Sequence, residues 1–377
     1  MMKVAIDLTW VRHQKVGGTE SCVRNLLKGI SSINPDNIKI FLILAKDNAE
    51  SFRMYGAACF EHLVCDVNSS SQKERVIWQN TKLGKILREN NIKVLLEPIY
   101  SIPFWGMKGI RVLATIHDLQ AIHYPEYFSK ARVAWMKINW RHTVKVADKV
   151  IAISEYVKKD IVKCLKANAD KVVMIYDAID LNVEECNETV ELKKYGIEVG
   201  KYYYTVSSLL PHKNLKSIVF AMAEIKKRNA EKMIPLVISG VGGASKSEIL
   251  ELAKKNNVEG DIILTPFIDN EERNMLYKNC KVFLFPSIFE GFGMPPIEAM
   301  AMGVPVLTTK YTSLEEVTGG LLNYVDNPLD PKEWADKLGD NLSIPEKKDT
   351  LKLLETYSTK RIAENYLQLF NEVFGKC

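Results

Sequence analysis

Short, uninterrupted apolar runs rich in β-branched residues punctuate this chain, and the stretches between them repeat apolar positions every three to four residues. In the first half the runs are Val4–Leu8, Ile38–Leu44, Val94–Glu97, Val112–Ile116, Val150–Ile153 and Val172–Ile175. In the second half they are Tyr202–Ser207, Leu236–Ser239, Ile262–Thr265, Val282–Phe285 and Val304–Thr308. Runs that do not alternate with polar residues predict strands covered on both faces. Strand and helix patterns in alternation predict parallel sheets with right-handed crossovers. So many strands fit two sheets better than one. The polar, charged stretch from Asp180 to Gly200 marks the expected boundary. The chain closes on a helical pattern, Ser358 to Phe374, with Ile362, Tyr366, Leu369 and Val373 on one face. The expected fold class is α/β, with two facing Rossmann-like doubly wound domains and a cleft between them. The expected limits are 1–182, 183–357 and a terminal helix at 358–377.

Length and composition agree with that division. A chain of 377 residues is long for one core and comfortable for two. With 47% hydrophobic and 26% charged residues it is neither collagen-like nor disordered. Its longest apolar stretches, such as Ile40 to Ala45, fall far short of the ~18 residues of a membrane span. Lys3 to Leu8 reads as a buried strand rather than as part of a secretory signal. The seven cysteines are scattered, without a Cys-x-x-Cys pair, so reduced thiols and a cytoplasmic location are expected. No zinc-type Cys/His spacing occurs, and no structural metal is expected.

Charge sharpens the picture. Residues 1–182 hold 27 Lys+Arg against 18 Asp+Glu, whereas the remainder holds 24 against 28. The basic half is the one expected to meet an anionic surface. Two of its segments, Gln72–Asn91 with Trp78 and Ser129–Lys149 with Trp135 and Trp140, combine basic residues with aromatics. Such helices suit a membrane surface or a lipid-diphosphate acceptor, so peripheral contact with the inner face of a membrane is a further expectation. No recognition module for nucleic acid accompanies the charge.

Ligands of open parallel sheets bind beyond the carboxyl ends of the strands. The most informative segment there is "FPSIFEGFGMPPIEAMAMGVPVLTT", Phe285 to Thr309. It leaves a strand, runs through Glu290-Gly-Phe-Gly-Met-Pro-Pro, and enters a short helix with Pro295 or Pro296 expected in its first turn. Glycine lets backbone approach a ligand, and proline suits a first helical turn. The exposed N–H groups of such a helix start suit a diphosphate. Glu298, expected in the first turn, could accept hydrogen bonds from both ribose hydroxyls. Glu290, eight residues earlier across Gly and Pro, is expected to have a separate role.

This segment resembles the E-x7-E signature of the GT-B-fold retaining glycosyltransferases of family 4, which use nucleotide sugars. Further matches run along nearly the whole chain. "VGGTE" (Val16–Glu20) is similar to the glycine loop that approaches the donor phosphates, with Gly17 and Gly18 in contact; read as an ordinary strand-to-helix turn, it would make Thr19 an acceptable helix cap. "TIHDL" (Thr115–Leu119) and "AISEYVKKDI" (Ala152–Ile161) resemble motifs of the N-terminal domain. "VSSLLPHKNL" (Val206–Leu215) resembles the segment carrying a phosphate-binding basic pair, here His212 and Lys213, with Ser208 nearby. "FIDNEERNMLYKNCKVFLFPS" looks like the stretch meeting the nucleobase, with Ile268 in it. The terminal helix is similar to one that returns to the N-terminal domain.

The resemblance implies roles. His117, Lys213 and Glu290 would be catalytic: His117 near the reacting carbon of the donor sugar, Lys213 on the leaving diphosphate, Glu290 beside the sugar. Donor binding would involve Gly17, Gly18, Ser208, His212, Lys213, Ile268, Glu290, Phe292, Gly293, Met294, Pro295 and Glu298. His212 stands where arginine is usual, and Ser207–Ser208 where glycine is common. His13 and His123 are placed on the acceptor side. No acid–nucleophile carboxylate pair is evident, in keeping with a front-face displacement in which the leaving phosphate helps deprotonate the acceptor. No cofactor and no metal is expected, because the nucleotide sugar is itself the substrate. The expected activity is hexosyl transfer, first from GDP-mannose, to a glycan or lipid-linked saccharide in surface polysaccharide synthesis. Rhamnosyl or glucosyl transfer from dTDP- or UDP-sugars and a GT-B nucleotide-sugar epimerase are the alternatives. A dehydrogenase is disfavoured because no G-x-G-x-x-G follows the first strand, and a catalytically silent scaffold by the intact Lys213, Glu290 and Glu298.

Overall fold

The computed structural model describes the chain except residues 13–16, 181–191, 267 and 376–377. The chain divides into two compact units, one comprising residues 1–180 with 355–377, the other residues 181–354.

The first unit is built on seven strands: β1 (Met2–Asp7), β2 (Ile38–Ala45), β3 (Phe60–Cys65), β4 (Val94–Glu97), β5 (Arg111–Ile116), β6 (Lys149–Ala152) and β7 (Val172–Met174). All pair in parallel, in the order β3-β2-β1-β4-β5-β6-β7. The central strands are buried along almost their whole length, as their unbroken apolar runs require. The chain order reverses between β1 and β4, where Ala5 pairs with Phe41 on one side and Leu95 on the other.

The helix Thr359–Phe374 packs on the first unit against the helix Gly18–Ile33. Its Ile362, Tyr366, Leu369, Phe370 and Val373 are buried in the same core as β1 and β2. Each such side chain contributes about 1.5–3 kcal/mol when fully removed from water. The two helices approach so closely that a Cβ on Gly29 would lie 2.0 Å from the Thr359 carbonyl oxygen.

The second unit repeats the plan with six parallel strands: β8 (Tyr203–Val206), β9 (Leu236–Ser239), β10 (Ile262–Leu264), β11 (Val282–Phe285), β12 (Val306–Thr309) and β13 (Asn323–Val325). Their order is β10-β9-β8-β11-β12-β13, so the reversal falls between β8 and β11.

Two strands absent from the apolar pattern, β3 and β13, lie at sheet edges. β3 exposes Glu61 and Val64, and β13 is three residues long. Edge strands have one unpaired side and need not be continuously apolar. Trp78 and Trp140 are buried core residues, not interfacial ones, leaving Trp135 half-buried on that face. Five cysteines are free among the described residues. No helix of the described residues is long and apolar enough to cross a membrane.

Candidate active site

In the second unit the candidate residues gather beyond the carboxyl ends of β8 and β11, the switch point where open α/β sheets bind ligands. From β8 the chain runs through Ser207 and Ser208 into a short turn, Pro211–Lys213. Asn214 follows with φ 52° and starts the helix Leu215–Arg228. The turn is pinned: Asn214 Nδ2 donates to the carbonyl oxygens of Pro286 (3.2 Å) and Pro328 (2.7 Å). The Ile288 N–H donates to the His212 carbonyl at 2.8 Å. These contacts bring Lys213 to the loop after β11, where its Nζ lies 2.7 Å from Glu290 Oε1. Both side chains are largely screened, 23% and 12% exposed.

His212, the other half of the expected basic pair, is different. Its side chain is buried, and burial together with the neighbouring Lys213 charge holds its pKa down at about 4. At neutral pH it is an uncharged imidazole. Lys213 is therefore the cation of that pair.

The Gly-Phe-Gly loop is held by hydroxyls. The Glu290 N–H donates to Thr312 Oγ1 (2.9 Å), while Ser313 Oγ donates to the carbonyls of Glu290 (3.0 Å) and Phe292 (2.9 Å). Gly293 takes φ 100°, and a Cβ there would lie 2.6 Å from the buried Leu314 side chain. Both constraints require glycine. The Phe292 side chain is buried, so it offers a ligand only backbone. The helix Met294–Ala301 begins directly after Gly293, with proline in its first turn. Met294 and Pro295 are half-buried at its mouth.

Glu298 sits in the second turn of this helix rather than the first, because the helix already starts at Met294. It is met by two side chains of the helix Asn270–Asn279. The Tyr277 hydroxyl donates to Oε2 at 3.1 Å, and Arg273 Nη2 lies 3.7 Å from Oε1. Burial next to Glu298 raises the Tyr277 pKa well above its usual value, so the phenol stays a donor. Neither residue was singled out by the motif, although both lie in the stretch resembling the nucleobase contact. Ser208 and Ile268 are half-buried in the loops after β8 and before that helix.

The first unit carries the other candidates. Gly17 takes φ 70° and caps the helix Gly18–Ile33. The helix thus starts before Thr19, which lies inside it instead of capping it. His13 and Val16 fall outside the described residues. His117 follows β5, and its Nε2 lies 2.9 Å from the Pro98 carbonyl oxygen. A carbonyl only accepts, so the proton is on Nε2. A ring nitrogen of His117, Cys22 Sγ and an Asp177 carboxylate oxygen lie within 4.8 Å of one another. Burial raises the pKa of both Cys22 and Asp177, and the thiol hydrogen-bonds the carboxyl. A protonated thiol is a poor metal ligand. His123 is similarly engaged, with Nε2 2.8 Å from Asp160 Oδ2.

Family models match both units: "Glycosyltransferase Family 4" over residues 16–183 and "Glycosyl transferases group 1" over residues 188–353. The chain belongs to this glycosyltransferase family. The O-antigen chain mannosyltransferase B of Escherichia coli is 29% identical over 214 residues, 55% of each chain. The chain thus spans about half the length of that relative. O-antigen chain mannosyltransferase RfbU of Salmonella typhimurium is 24% identical over 335 residues, covering 87% of this chain and 88% of its own. Among solved structures, sucrose-phosphate synthase of Thermosynechococcus elongatus superposes with a TM-score of 0.80 over the whole of both chains at 16% identity. That likeness shows the fold, GT-B, whose two halves correspond to the two parallel-sheet units.

Proposed function

We propose that the protein transfers mannose from GDP-mannose, with retention of anomeric configuration and without a metal ion, to a saccharide acceptor of surface polysaccharide synthesis. Support for the sugar comes from the two mannosyltransferase relatives. The observation carrying the chemistry is the Lys213–Glu290 pair at the β8/β11 switch point. In the reaction the Lys213 ammonium leaves Glu290 for the diphosphate, whose negative charge grows as the glycosidic bond breaks. Glu298 takes the ribose hydroxyls, its carboxylate oriented by Tyr277 and Arg273. The start of the helix Met294–Ala301 adds backbone N–H groups for the phosphates. His117, with its Nε2 proton committed to Pro98, is assigned to the donor sugar. The acceptor hydroxyl attacks the face from which the diphosphate departs and passes its proton to the leaving phosphate oxygen. The protein's share is positioning and charge stabilisation.

The test is incubation of the purified chain with GDP-[14C]mannose and a lipid extract of its source cells in buffer containing EDTA. Transfer of label with formation of an α-linked product, judged by NMR, supports the proposal. Label transferred only from UDP- or dTDP-sugars removes the mannosyl assignment. A β-linked product removes retention, and loss of transfer in EDTA removes metal independence.

A further inference from the structure

The first unit holds a cavity of about 850 Å³ that none of the donor-site roles uses. This is the size of a pocket for a substantial small molecule. Arg12, Lys73, Arg132, Tyr100, Trp135 and Ile77 line it, and among the described residues no acidic side chain does. Arg12 follows β1 and Tyr100 follows β4, so the cavity opens beyond the switch point of the first sheet. The two basic segments of the sequence each send it a cation, Lys73 from one and Arg132 from the other.

Arg75 approaches the same region, and its Nε is buried with no hydrogen-bond partner among the described residues. Two buried carboxyls end the central strands there, Asp7 on β1 and Glu97 on β4. Asp7 is engaged by the Thr9 N–H at 2.8 Å and by Gln79 Nε2 at 2.7 Å. Burial beside Asp7 pushes the Glu97 carboxyl well up, toward its neutral form. Asp7 and Glu97 face Arg75 beneath the cavity, while the described lining of the rim itself carries cations and no carboxylate. Apolar surface leads away from them. Trp135 packs against Phe104, Phe104 against Trp105, and Trp105 is 64% exposed. Ile77, on the rim itself, is 54% exposed.

We propose that this cavity binds the phosphate or diphosphate group of a lipid-borne acceptor, with Arg12, Lys73 and Arg132 on the phosphate oxygens and the Trp135–Trp105 strip along the lipid. Guanidinium groups match phosphate oxygens two at a time, and a lysine adds a mobile point charge. The word acceptor rests on the glycosyl-transfer reading; the phosphate site itself does not.

The test uses the full chain, with GDP present at saturation so that the donor site is filled, and geranyl diphosphate as a soluble probe in calorimetry. Wild type should bind geranyl diphosphate at least tenfold more tightly than geraniol, and more weakly as salt rises. Lys73→Glu/Arg132→Glu, both exposed positions, should weaken geranyl diphosphate at least tenfold and leave the GDP affinity within twofold. Equal geranyl diphosphate affinity in the two proteins, or no binding to wild type, overturns the site. Vesicles of phosphatidylcholine with and without phosphatidylglycerol separate the sources of phosphate. Loss of vesicle binding in the double variant with unchanged geranyl diphosphate affinity means a headgroup surface and overturns the acceptor site. Failure of GDP to bind wild type sinks the donor reading instead, while geranyl diphosphate titrated into nucleotide-free protein still reports on the cavity.

Discussion

Replacing Lys213 with alanine removes the one charged member of the His212–Lys213 pair, since burial keeps His212 neutral. Two effects of different size follow. In the resting protein the variant leaves Glu290, 12% exposed, without its partner at 2.7 Å. At an effective dielectric near 20 that contact is worth about 6 kcal/mol of Coulomb energy. Desolvation of both groups cancels most of it, and the net loss of stability should be about 1–3 kcal/mol. In the transition state the loss falls on the departing diphosphate, where one preorganised donor typically carries about 2.7–4 kcal/mol, or 10²–10³ in rate. Lys213→Ala should therefore lower kcat by about 10²–10³ while remaining folded, and Lys213→Arg should recover part of the rate. Initial rates with labelled sugar nucleotide, alongside thermal unfolding of each variant, measure both effects. A Lys213→Ala protein with wild-type turnover would refute the leaving-group role.

Glu290→Gln removes a carboxylate that competes with phosphate for Lys213, so it should tighten GDP binding about threefold by calorimetry yet lower turnover. Glu298→Gln keeps the size of the side chain but loses its charge toward Arg273 and its second acceptor for ribose. Its affinity for GDP should fall about tenfold, with no more than about 1–2 kcal/mol lost on unfolding. Gly293→Ala imposes a side chain at φ 100° and 2.6 Å from Leu314, and should cost about 2–3 kcal/mol in denaturant titrations. His212, with its folded pKa near 4 against an ordinary 6.5, is protonated more readily in the unfolded chain. Stability should therefore be lost as pH falls from 6.5 toward 4, by at most about 3 kcal/mol. His212→Asn should flatten the pH dependence in that window.

The sheets were legible because their central strands are buried on both faces and so must be written as apolar runs. β3 and β13 were not, since an edge strand can carry Glu61 or last only from Asn323 to Val325. The loop Glu290–Pro295 was legible for a different reason. A positive φ at Gly293 and a proline at a helix start are local demands that leave a local trace. Contacts between distant segments leave none. Nothing in linear spacing joins Lys213 to Glu290, 77 residues on, or Tyr277 to Glu298. The neutrality of His212 likewise depends on what packs over it. The cationic cavity stood in between: the basic segments around Lys73 and Arg132 were visible, but their convergence with Arg12 and Tyr100 followed only from the sheet order. Their tryptophans misled, because amphipathic spacing does not say whether Trp78 and Trp140 face water or core.

The residues beyond β8 and β11 are proposed to hold a nucleoside diphosphate. Calorimetric titration of GDP, UDP, dTDP and NAD into wild type and Lys213→Ala decides whether they do. One site per chain is expected for GDP, tighter than for UDP or dTDP, and markedly weakened in Lys213→Ala. Binding of NAD with none of the nucleoside diphosphates, or a GDP affinity indifferent to Lys213, would contradict it.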